Sequence, residues 1–152
     1  MNSPTLLAII SHPAANATLA RHWPYFKSTG WDILGCGSRD GKTEWPEPVP
    51  TLNTGRISVI KSVTPAIDGL LEQELDILDY FLEKTSYADV CVVEYDGVFV
   101  RKPPPHPGGL YLVSVIPNMQ PKTFSTSVYF QTPRWSDRST TKRLAKAGRA
   151  LL

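Results

Sequence analysis

Ala88-Asp89-Val90-Cys91-Val92-Val93-Glu94-Tyr95-Asp96-Gly97-Val98-Phe99-Val100 is the stretch on which the fold turns. Val90 to Val93 are apolar on both faces of an extended segment, which marks a strand covered on both sides, as in a parallel sheet packed between helices. Two acids spaced Glu-x-Asp follow at once, then a glycine. Residues two apart on an extended chain project to one side, so Glu94 and Asp96 are expected to face one ligand. Asp96-Gly97 also matches the two-residue turn of a hairpin, with Val98 to Lys102 as a short return strand.

The element before this strand is the clearest in the sequence. From Pro65 to Lys84, Ile67, Leu70, Leu71, Leu75, Leu78, Phe81 and Leu82 recur three and four apart, while Glu72, Glu74, Asp76 and Glu83 fall mostly elsewhere. The pattern predicts an amphipathic helix with Pro65 in its first turn. Further back, Thr5 to Ser11 is a continuous apolar run of strand length that stops at His12-Pro13. Ala17 to Ser28 carries Leu19, His22, Trp23 and Phe26 at helical spacing, and Pro24 predicts that this helix ends or kinks there. Trp31 to Cys36 reads as a second strand and Gly37 to Gly41 as a loop of turn formers. Strand, helix, strand favours a parallel pair.

Lys42 to Gly55 holds three prolines at every second position and no periodicity, which predicts a surface loop. Arg56 to Lys61 then makes a third strand, and the opening stretch the fourth. Beyond it, Arg101 to Gly109 is a proline and glycine loop, stiff or able to close over a ligand. Leu110 to Ile116 reads as a fifth strand, and Phe124 to Phe130, alternating apolar and polar, as a sixth. Gln131 to Trp135 turns, and Ser136 or Asp137 caps a last helix reaching Leu152. On that helix Arg138, Lys142, Lys146 and Arg149 line one side, and Leu144, Leu151 and Leu152 the other.

At 152 residues the chain fits one domain with a sizeable core, and a formal charge of +2 argues against a nucleic-acid partner. Leu6 to Ile10 is far shorter than a membrane span and lacks the flanks of a signal peptide, so a cytoplasmic protein without a membrane span is expected. Cys36 and Cys91 lie in or beside apolar runs, outside any CxxC or Cys/His cluster. That placement predicts buried thiols and argues against zinc and against a disulfide framework.

The succession of strand, helix, strand, strand, amphipathic helix and an apolar strand ending in an acid-x-acid pair resembles the nucleotide-sugar-binding half of GT-A glycosyltransferases. In that family a DxD motif ends the fourth strand and coordinates a divalent ion and the sugar-nucleotide diphosphate. Glu94-Tyr95-Asp96 matches it as an ExD variant. The resemblance implies an α/β fold: a single Rossmann-like GT-A type domain over 1–152, with a mostly parallel central sheet flanked by helices. The chain is short for the family, which implies a minimal domain or one truncated on the acceptor side.

The resemblance also implies manganese or magnesium held by Glu94 and Asp96, and a nucleotide-sugar donor with an unknown hydroxyl acceptor. Ser11 and His12, after the first strand, would touch the nucleoside, and Asp40, after the second, the base or ribose. Inverting members use a carboxylate near the acceptor as general base, a role that falls to Asp137. Trp135 would offer a sugar-stacking platform, and Arg134, with Arg138 and Lys142, would neutralise a diphosphate. Local readings stay open beside these: Asp40 as an Asp-Gly turn residue, Asp137 as a helix cap, the basic row as a solvated face. So do two other functions, a nucleotidyltransferase using the same acid pair and a noncatalytic nucleotide- or nucleic-acid-binding module.

Overall fold

The structure, a computed structural model, describes residues 5–55, 63–97, 99, 103, 106, 108–112 and 134–151, with backbone alone at 63–71 and 111–112. It is an α/β fold. Among the described residues six strands form one sheet: β1 (Thr5–Ile10), β2 (Asp32–Ser38), β3 (Thr51–Gly55), β4 (Asp89–Glu94), β5 (Leu110–Leu112) and β6 (Arg134–Asp137). Its spatial order is β3-β2-β1-β4-β6-β5. β1 to β4 run parallel, whereas β6 is antiparallel to both of its neighbours. Among the described residues three α-helices accompany the sheet, α1 (Asn16–Lys27), α2 (Val63–Lys84) and α3 (Arg138–Arg149).

β1 and β4 are the inner strands because their residues suit burial on both faces. All of β1 is buried, and so are Val90 to Val93 of β4. Alternation divides these side chains between two cores. Leu6, Ala8, Ile10, Val90 and Val92 pack with Leu75, Ile77, Leu78 and Phe81 of α2 and Ala145 of α3. Leu7, Ile9, Cys91 and Val93 pack with Leu19, Trp23 and Phe26 of α1, and with Phe99 and Trp135. Both cysteines are buried free thiols, as expected.

Several expectations fail for identifiable reasons. α1 does not end at Pro24 but runs on to Lys27. The missing N–H forfeits only a bond to Ala20, and both residues lie on the exposed flank. Within the segment read as a surface loop, Thr51 to Gly55 forms β3. An edge strand held mainly by backbone pairing to Gly35–Ser38 needs little apolar patterning. The loop before it is fastened by Trp45, whose ring lies where a Cβ on Gly35 would be, 2.6 Å away. Arg134 and Trp135, read as a turn, belong to β6, which pairs with β4 across Val92↔Arg134 and Cys91↔Trp135.

α3 stops at Arg149 and buries Thr140, Thr141, Ala145 and Gly148, leaving Leu144 and Leu151 outside. The small residues let it lie close against α2: a Cβ on Gly148 would come within 2.7 Å of Leu75. The strands expected at Arg56 to Lys61 and Phe124 to Phe130 lie outside the described residues. Among those described, no helix is long and apolar enough to cross a membrane.

Candidate functional site at the strand switch point

Strand order sets where a ligand can approach. The chain lays down β2 and β3 on one side of β1 and then returns to place β4 on the other. In open α/β sheets such a reversal opens a crevice beyond the carboxyl ends of the two strands that diverge there. Here those ends are Ile10-Ser11-His12 after β1 and Glu94-Tyr95-Asp96 after β4, and the Tyr95 N–H donates to Ile10 O at 2.9 Å.

The strand ends at Glu94, and Asp96 does not continue it. Gly97 N–H donates to Glu94 O at 2.9 Å, closing a turn with Tyr95 and Asp96 at its centre. Neither Asp96 nor Gly97 has positive φ, so this is not the primed hairpin turn, and the alternation of an extended chain does not carry through to Asp96. Gly97 is required by space: a Cβ there would run into Val93 Cγ2.

Alternation does fix Glu94 itself. Val90 and Val92 face α2, so Glu94, two residues on, faces the same layer. Arg134, directly opposite Val92, shares that side, and its Nε meets Glu74 Oε1 of α2 at 2.5 Å. Burial, then the charges of Asp96 and Glu74, push the Glu94 carboxyl up to about 7, against the pull of Arg134. Tyr95 turns to the α1 layer, where its ring meets that of His12 edge-on with centroids 5.1 Å apart. His22 of α1 donates from Nδ1 to Tyr95 O at 3.1 Å. Burial lowers the His12 pKa although Asp96 opposes it, so Asp96 acts electrostatically on Glu94, His12 and Tyr95 alike.

Ser11 stands at the same end of the sheet, directly after β1. It is 3 % exposed, its N–H bonds Cys36 O at 3.0 Å, and its Oγ is buried with no hydrogen-bond partner among the described residues. A buried hydroxyl without a partner is rare and is the kind of group that a bound polar ligand satisfies. Asp40 lies just past the carboxyl end of β2, on the same edge of the sheet. Its Oδ1 accepts from Ser38 Oγ at 2.6 Å and from the Lys42 N–H at 3.1 Å, as a turn aspartate does. The Ser38 bond, with that N–H, lowers its pKa.

The chain matches no protein-family model and no curated protein.

Three expected site residues are placed elsewhere. Asp137 lies opposite Asp89, at the amino end of β4, whereas Glu94 stands at the other end. The five intervening steps of about 3.3 Å place them roughly 16 Å apart, too far for a shared reacting centre. Both Asp137 oxygens are engaged: Oδ1 accepts from Thr140 N at 2.7 Å, capping α3, and Oδ2 from Gly109 N at 2.6 Å. These backbone N–H groups lower its pKa. Trp135 is 2 % exposed and packs between Trp31 and His106, so it cannot stack on a sugar. Arg138 donates to the carbonyls of Phe81, Leu82, Thr85 and Tyr87 and so caps the carboxyl end of α2.

Sequence reasoning missed Glu74 and His22, both of which reach the site from helices. Their only signals were a carboxylate and an imidazole at helical spacing, which solvated and core positions share. A cavity of about 430 Å³ opens at the far edge, against Leu6, Trp31, Asp32, Tyr80 and Tyr87, and the acids do not line it.

Proposed function

We propose that the chain is a GT-A-type domain that binds a nucleotide-sugar at the switch point and transfers the sugar to a hydroxyl acceptor with a divalent ion. The observation that carries this reading is the pair Glu94 and Asp96 on a turn at the carboxyl end of β4, beside the Ser11–His12 segment that follows β1.

The residues fit magnesium or manganese. Either ion keeps waters and takes one or two carboxylates plus substrate phosphates, and the carboxylates present are two hard oxygen donors close enough that the charge of Asp96 raises the proton affinity of Glu94. Among the described residues no group of three or more acid, histidine or cysteine side chains forms a cage, so phosphate oxygens would complete the shell. Glu94 and Asp96 would hold the ion, which supplies positive charge against the departing diphosphate. Arg134 holds Glu74 and biases Glu94 toward its ionised form. Ser11 Oγ and the edge of the His12 ring would meet the nucleoside, while Asp40 would accept from a ribose hydroxyl. No step is assigned to Asp137.

Calorimetric titration with manganese and a panel of nucleoside diphosphates tests the reading. Binding should require the metal and weaken at least about tenfold in Asp96→Ala, the loss of one charged ligand. Equal binding by the variant, or binding that ignores the metal, removes the metal role. Product analysis then separates two chemistries, since a released nucleoside diphosphate supports sugar transfer and pyrophosphate supports nucleotidyl transfer.

A further inference from the structure

α3 presents two different arcs to solvent. At 3.6 residues per turn, Arg149, Lys142, Lys146 and Arg143 follow one another around about 120° of the helix. Ala147 and Leu144 bound roughly the next 60°, and Leu151 follows in the turn that closes the helix. All seven side chains are exposed, with Leu151 80 % and Leu144 36 % accessible. Arg149 is paired with Asp79 of α2. No acid among the described residues forms an ion pair with Lys142, Arg143 or Lys146. Ala145 and Gly148, turned inward, already attach the helix to the α2 side and Thr141 bonds Ser136 of β6, so apart from Arg149 the outer arcs have no part in holding the fold.

We propose that this outer face of α3 docks on an anionic lipid bilayer. Charge complementarity selects an anionic partner, and the apolar arc beside the cations selects lipid among anionic partners. A basic helix gains from lying at a bilayer surface when apolar side chains enter the headgroup boundary beside its cations. Nucleic-acid phosphates would reward Lys142, Arg143 and Lys146 but give Leu144 and Leu151 nothing. The formal charge of the whole chain is only +2, so the cations form a local face and not a general basic surface. The inference does not rest on the metal site, since none of these seven residues belongs to it.

Co-sedimentation with vesicles tests it, comparing phosphatidylcholine alone with phosphatidylcholine containing about a third phosphatidylglycerol. Binding should be confined to the anionic vesicles and fall steeply as salt is raised. Lys142→Glu with Lys146→Glu should reduce the partition coefficient at least about a hundredfold, given the attraction of each cation near an anionic surface. Leu151→Ser should reduce it by roughly tenfold, the loss of one buried leucine. Circular dichroism should show both variants folded, as the substituted side chains are exposed. Equal binding to the two vesicle types, no vesicle binding, or insensitivity to both variants overturns the proposal. So does tighter, Leu151-independent binding to a short DNA duplex, which would make the face a phosphate reader.

Discussion

Glu94 carries a cost that depends on pH. An unfolded glutamate ionises near 4.5, but in the fold its carboxyl holds its proton up to about 7. Between those values the native state binds more protons than the unfolded chain, so stability falls as pH rises through this window. Glu94→Gln should therefore leave stability almost unchanged at acid pH and raise it above neutrality, by at most about 3 kcal/mol. Urea unfolding of both proteins on either side of the window measures this, and a variant destabilised at alkaline pH would contradict the burial of that carboxylate. Gly97 makes a second prediction at this scale. Gly97→Ala would drive a Cβ into Val93 and displace the turn that bears both acids. A loss of about 1–3 kcal/mol is expected, together with weaker manganese binding by calorimetry.

The helix junction at the amino end of β4 behaves as one unit. Asp137 caps α3, and the next residue, Arg138, caps α2, with its guanidinium 4.7 Å from the Phe81 ring centroid. Asp137→Ala should cost about 1 kcal/mol through the lost cap, with a further loss from Gly109. Arg138→Met should cost about 2–3 kcal/mol, since several charge-assisted bonds to part-buried carbonyls go with it. Thermal or urea unfolding gives both values. Neither substitution should alter metal or diphosphate binding, because the junction lies at the opposite edge from Glu94. A selective loss of binding in Asp137→Ala with stability intact would return that residue to the chemistry.

Elements were legible in the sequence in proportion to the apolar surface they bury. β1, α2 and β4 announced themselves through Leu6–Ile10, the three-and-four spacing up to Leu82, and Val90–Val93. β3 did not, because Thr51, Asn53 and Thr54 belong to an edge where backbone pairing does the work. β6 is four residues long, and Arg-Trp-Ser-Asp carries no period that distinguishes a strand from a turn. The acid pair was legible as a motif; its turn geometry was not, because the close approach of Gly97 to Val93 exists only once β4 is packed. Asp137 was misplaced for a related reason. Sequence order brings it after Glu94, but antiparallel pairing sends it to the other end of the strand.

Across the whole molecule, protection should follow the two cores. β1 and β4 are shared by both, while β3 and β5 are the outermost of the described strands. Hydrogen exchange should be slowest at the amides of Leu7 to Ile9 and Cys91 to Val93, approaching the global unfolding free energy there, and faster along Thr51 to Gly55. Equal rates across the sheet would mean that it opens as a single unit.

The insertion of β6 beside β4 has a consequence for the order of events during synthesis. β1, β2, β3 and β4, with α1 and α2 between them, all leave the ribosome before β6 does. Domains emerge amino terminus first, so a parallel half-sheet has time to assemble while one flank of β4 still lacks its neighbour. That flank is apolar on both faces and remains a template for pairing until Arg134 to Asp137 arrive and Arg138 closes over the end of α2. Nascent chains halted before residue 134 should accordingly be the species that chaperones hold and that aggregate.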